Sequence, residues 1–151
     1  MTGVQTCALP ISEDFHALHP GGKLGKAFIR VRDLMHSGAD LPLVKNQDVM
    51  SNVLLVMTKK SFGCAAVTDE KGKLAGVITD GDLRRHMDPN LLNQRACDVM
   101  TRGPVTTAPE TLAAEALGIM NTRSITSLFV VENGKPVGIL HVHDCLRAGV
   151  M

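Results

Sequence analysis

The chain carries much of its own sequence twice. Asp33-Leu34-Met35 returns as Asp98-Val99-Met100, and the stripe Met50, Val53, Leu54, Met57 returns as Ala113, Ala116, Leu117, Met120. Each stripe has the i, i+3, i+4, i+7 spacing of a helix with one buried face. Gly76-Val77-Ile78 returns as Gly138-Ile139-Leu140, and Asp82 returns as Asp144. The offset between copies shrinks along the chain from 65 to 63 to 62. Two short loop deletions account for that.

Each copy predicts the order strand, helix, strand, strand, helix. An extended entry (Leu41–Val44; Val105–Thr107) lies beside Pro42 or Pro109, which disfavour helix. After the stripe helix come short apolar strands at Cys64–Val67 and Leu128–Val131. Turns follow at Lys71-Gly72 and Asn133-Gly134; Asn-Gly between apolar runs is a strong hairpin signal. Second strands at Leu74–Ile78 and Val137–Leu140 then lead into helices opening near Asp82 and Asp144. A unit of about sixty residues buries little surface alone. The expected fold is therefore α/β (α+β): two βαββα units, residues 31–87 and 96–150, related by a pseudo-two-fold axis, with packed sheets and flanking helices. Residues 1–30 stand outside the duplication. Such symmetry makes two equivalent clefts between the halves, where small ligands commonly sit.

Composition narrows the function. Sixteen Lys and Arg against fifteen Asp and Glu leave a net charge of +1, which argues against electrostatic binding to nucleic acid or to an anionic membrane. The aromatics are four Phe, with no Trp or Tyr, so a base-stacking platform for single strands is not expected. No apolar run is long enough to span a bilayer. Cys7, Cys64, Cys97 and Cys145 form no C-x-x-C pair and read as thiols of a reducing, cytoplasmic setting. Met1–Ile11 lacks the charged and apolar regions of a signal peptide.

The chemical signal lies at the end of the second strand, Gly76-Val77-Ile78-Thr79-Asp80-Gly81-Asp82. Asp82 can accept both hydroxyls of a ribose. Thr79 and the N–H groups around Asp80 at the helix start can hold phosphate, and Arg84 and Arg85 can neutralise it. The same Thr79-x-x-Asp82 string is also a helix-capping arrangement. In the second copy His141 replaces the threonine, so the capping partner is expected to be missing while Asp144 stays. An acid kept without its mate points to a ligand or to a helix-dipole contact. His141 and His143 lie two apart beside Asp144, and nucleotide contact suits them better than a metal, since no third ligand is placed. His36 and His86 read as surface residues. Met35, Met50, Met57, Met100 and Met120 read as core.

The doubled unit closing in G-h-h-T-x-x-D resembles a tandem pair of cystathionine-β-synthase (CBS) domains, a Bateman module, over Val31 to the C-terminus. The resemblance implies adenosine or other nucleotides bound between the halves, regulating an attached enzyme or channel. Base recognition would use backbone groups near Leu43-Val44 and Val105-Thr106. The flanks narrow it. Glu13-Asp14-Phe15, His19-Pro20-Gly21-Gly22-Lys23-Leu24-Gly25, Arg32-Asp33-Leu34-Met35-His36, Thr79 to Arg85 and Leu140 to Gly149 together resemble the C-terminal part of bacterial D-arabinose 5-phosphate isomerases. That family joins a sugar isomerase (SIS) domain to a CBS pair, and interconverts ribulose 5-phosphate and arabinose 5-phosphate for Kdo and lipopolysaccharide biosynthesis.

The resemblance implies no required cofactor. It implies a regulatory ligand of the AMP or ATP kind, or a cytidine nucleotide such as CMP-Kdo. It also implies a homodimer through the CBS pairs, helped by an apolar end at Leu83, Leu146 and Val150, and a tetramer in the full-length family. The alternative is a purely structural dimerisation module without ligand. His19 matches a catalytic histidine of the SIS domain, but Met1–Ile11 do not resemble the family and only fourteen residues precede Phe15. Sugar isomerisation needs several acid–base groups in one pocket. Residues 1–151 are therefore expected not to isomerise arabinose 5-phosphate in a coupled assay; turnover abolished by His19→Ala would contradict this.

Overall fold

The computed structural model describes residues 28–150. His19, Cys7 and the rest of residues 1–27 lie outside the described residues. The first half contains strand β1 (Leu43–Lys45), helix α2 (Met50–Lys60), strands β2 (Cys64–Thr68) and β3 (Leu74–Thr79) and helix α3 (Asp80–Arg85). The second half repeats this order with β5 (Thr106–Thr107), α5 (Ala113–Arg123), β6 (Ser127–Glu132), β7 (Lys135–His141) and α6 (Val142–Arg147). In both halves the first strand runs parallel to the second and the second antiparallel to the third. Both hairpins carry one register shift, at Val67/Thr68 and Val130/Val131. The Asn133-Gly134 turn has both residues at positive φ, 55° and 81°, as a two-residue hairpin loop requires.

The core is in three layers. Ala65, Val67 and Ile78 pack against Met50, Val53 and Met57 of α2. Leu128, Val130 and Leu140 pack against Ala113, Ala116, Leu117 and Met120 of α5. Alternate strand residues point the other way, so Cys64 and Ala66 meet Phe129 and Ile139 in a thin layer between the sheets. Strands apolar on both faces are the reason the sequence shows runs here and not alternation. Val150 is 2% exposed and belongs to the core around α5. This corrects its expected place on an apolar outer end, where Leu146 alone is more than half exposed; Leu83 is half-buried against the first core.

Two short helices, α1 (Val31–Leu34) and α4 (Ala96–Val99), precede the halves, and each docks on the half it does not precede. Val31 and Arg32 donate backbone N–H to Thr111 and Pro109, at 2.8 and 3.0 Å. Ala96 and Cys97 donate to Asp48 and Asn46, at 2.8 and 3.0 Å. Val31 is buried beside Ala113 and Leu117, while Ala96 and Val99 are buried beside Met50 and Val53. Strand β4 (Thr101–Arg102) continues the exchange by pairing with Val77 and Gly76 of β3. His36, the residue matching Thr101, bridges to Ile139 of β7.

The repeated strand glycines allow this docking. A Cβ on Gly76 would lie 2.7 Å from the Thr101 carbonyl oxygen and 2.8 Å from Met100 Sδ. One on Gly138 would lie 2.4 Å from Met35 Sδ and 3.1 Å from the His36 carbonyl oxygen. Gly76→Ala and Gly138→Ala are each expected to destabilise the protein by about 1–3 kcal/mol through overpacking. Gly118→Ala is the control: this exposed residue of α5 has no neighbour within 4 Å of an added Cβ, and alanine there should add about 0.5–1 kcal/mol. Thermal unfolding of the three variants checks the set.

Candidate functional site

Helix α3 begins where β3 ends, because the Thr79 side chain and Asp82 cap it reciprocally. Asp82 Oδ2 accepts the Thr79 backbone N–H at 2.9 Å and the Thr79 hydroxyl at 3.2 Å, and Thr79 Oγ1 accepts the Asp82 N–H at 3.4 Å. Asp82 Oδ1 accepts Arg85 Nη2 at 2.6 Å and the Thr101 hydroxyl. Burial by itself would raise the Asp82 carboxyl, which is 2% exposed. The donors from Thr101, Thr79 and Arg85 outweigh it and hold the group below its ordinary value. Asp82 is thus both a cap for its own half and an anchor for the arm that arrives from the linker.

Asp144 repeats the arrangement. It accepts the His141 backbone N–H at 2.9 Å and Arg147 Nη2 at 2.7 Å, and His36 Nε2 lies 3.0 and 3.1 Å from its two oxygens. Burial raises this carboxyl, and the His141 N–H, His36 and Arg147 together bring it below the ordinary range. The expected loss of the capping partner is corrected here: His141 Nδ1 accepts the His143 backbone N–H at 3.0 Å and does a threonine hydroxyl's work. That role needs an unprotonated nitrogen, and burial, together with the nearby His143 ring, pushes the His141 pKa down. His36 is corrected too. It is half-buried, bound to Asp144, and its ring meets Phe62 edge-on with centroids 5.2 Å apart. His86 is half-buried as well.

A cleft of about 460 Å³ opens between the halves beside Asp82. Thr79, Asp80, Asp82 and Val105 all line it. Phe62, Val77 and Phe129 supply apolar walls, and Thr101, Thr126 and Ser127 supply hydroxyls. Arg84 and Arg85 are exposed on α3 and outside that lining, with the Arg85 guanidinium turned to Asp82. Val44 is buried in the first core, and Thr106 is half-buried on β5 opposite Phe129. His141 and His143 stack with centroids 4.8 Å apart near Asp144, away from this cleft's lining. The Cys64 thiol, in the cleft lining, is pushed up to about 12 by burial, which keeps it protonated near neutral pH. Among the described residues no cluster of His, Cys, Asp and Glu could hold a metal ion. None of their helices is long and apolar enough to cross a membrane.

Thr101 and His36 are the functional candidates that sequence reasoning missed. Both follow a repeated methionine, and that shared position was the available signal.

A family model for the CBS domain matches residues 31–89 and again 96–150. The chain belongs to the CBS-domain family. Over 142 residues this CBS pair is 43% identical to arabinose 5-phosphate isomerase KdsD of Yersinia pestis, covering 92% of this chain and 43% of that protein. The chain therefore spans less than half the length of the curated relatives it matches. A CBS domain-containing protein of unknown function from Bacillus anthracis superposes with a TM-score of 0.73 at 25% identity, covering 83% of this chain and 96% of that one. CBSX2, solved in complex with AMP, superposes with a TM-score of 0.70 at 25% identity, covering 80% and 96%.

The depressed His141 pKa sets a pH dependence for the CBS pair. The unfolded chain takes up a proton below about pH 6.5 that the folded chain resists. Stability from this residue is thus present above that pH and falls as pH drops toward the folded pKa. His141→Asn keeps a capping acceptor without the titration. Between pH 7 and pH 5.5 its melting temperature should fall less than the parent's.

Proposed function

We propose that this CBS pair is the regulatory, nucleotide-sensing part of an arabinose 5-phosphate isomerase acting in Kdo and lipopolysaccharide biosynthesis, and that the pair itself is not catalytic. What carries the reading is the cleft in which Thr79, Asp80, Asp82 and Val105 converge between the halves. Its apolar walls suit a base, and its hydroxyls and acid suit a ribose and phosphate. The likeness to KdsD supports the enzyme context, and the AMP held by CBSX2 supports the ligand class. The ligand is AMP, ATP or a cytidine nucleotide such as CMP-Kdo. Asp82 would accept the ribose hydroxyls, with Thr79 and the backbone at Asp80 toward the phosphate. Arg84 and Arg85 would act from outside the cleft rim. His141, His143 and Asp144 would contact a ligand in the second cleft, and the backbone near Val44 and near Val105 and Thr106 would read the base. The pair would associate as a homodimer, and as a tetramer in the whole enzyme.

A purely structural dimerisation module is the second reading, and the occupied capping bonds of Asp82 and Asp144 favour it. Calorimetry with AMP, ATP, CMP and CMP-Kdo separates the two. Binding of at least one is expected, weakened about ten- to a hundredfold by Asp82→Ala, since hydrogen bonds to a charged group are worth about 1.5–3 kcal/mol each. A lower melting temperature in that variant with no nucleotide bound by the parent would favour the structural module.

A further inference from the structure

If Asp82 receives a ribose, one of its present donors must leave. A carboxylate has about four lone-pair sites, and four protein donors already fill them: the Thr79 N–H and hydroxyl on Oδ2, Arg85 and Thr101 on Oδ1. The Thr79 N–H is fixed by the capped helix turn. Arg85 carries a charge that an isolated ribose hydroxyl does not replace. The Thr79 hydroxyl is held in the capping box, where its oxygen also accepts the Asp82 N–H. Thr101 differs from these three. Its hydroxyl is neutral, it lines the cleft, and the residue is exposed, so a displaced hydroxyl returns to water.

We infer that the Thr101 hydroxyl is an internal competitor for the nucleotide: it occupies the Asp82 oxygen that the ribose needs, and its displacement sets the affinity of the first cleft. This rests on the nucleotide reading above and adds the residue that tunes it. Because Thr101 starts β4, the competition also lies on the arm that ties the linker to β3. A ligand at Asp82 would release the side-chain anchor of that arm while leaving its backbone pairing with Val77 in place.

The test compares the parent, Thr101→Val and Thr101→Ser by calorimetry with AMP, ATP, CMP and CMP-Kdo. Thr101→Val keeps the shape and removes the donor, so it should bind about tenfold more tightly, equivalent to about 1.4 kcal/mol, while melting at a lower temperature. Thr101→Ser restores the donor and should bind as the parent does. Unchanged or weaker binding by Thr101→Val, with the parent binding, overturns the competition and leaves the nucleotide reading standing. Binding by neither parent nor variant overturns both. Binding by Thr101→Val alone supports both, with the parent held closed by its own hydroxyl.

Discussion

Two buried carboxylates, Asp82 and Asp144, organise this molecule. Each closes a capping box at the end of a strand, and each also takes a donor from an arm belonging to the opposite half, Thr101 or His36. A buried charge is costly unless it is paired and hydrogen-bonded, so the arms must be in place for the acids to be tolerated. The acids in turn give the arms their fixed positions. The strand glycines, the repeated methionines and the apolar faces of α1 and α4 all serve the same docking. Without it the helix-side cores around Met50 and Met120 would each lose one wall.

Most of the fold was legible because the chain states it twice. Strand and helix periods that are ambiguous in one copy become firm when Gly76-Val77-Ile78 and Gly138-Ile139-Leu140 occupy the same place. The exchange of arms was not legible, for physical reasons. A four-residue helix is too short to show a period, and a partner 108 residues distant, as Asp144 is from His36, leaves no local trace. One clue was present. Glycine inside a strand marks a close backbone approach, and both copies have one directly before an apolar run. The capping role of His141 was hidden differently. Threonine and histidine look unlike as residue types, yet a neutral imidazole nitrogen and a hydroxyl oxygen are both acceptors, and only the geometry at His143 N reveals the equivalence.

The candidate site divides in the same way. The acid and threonine of the first copy could be named from the sequence, since the motif is contiguous. The rest of the lining could not, because Phe62, Thr101 and Thr126 come from three separate segments. The two halves also part company here. Where the first acid meets a small hydroxyl, the second meets an imidazole braced by a phenyl ring. Duplicated backbones have thus been furnished with unlike side chains, and the surroundings of the two acids are not chemically equivalent.

The crossing of α1 and α4 has a further consequence, for cooperativity. Each half is roofed by a segment that the chain supplies from before the other half, so neither can unfold while the other keeps its complete core. A cut in the linker between Met87 and Ala96 would not release two finished domains. It would give two pieces, each carrying its neighbour's roof, that complete themselves only on rejoining. The duplication is thus expected to unfold as one unit, with a disturbance at either arm felt in the half on which that arm rests.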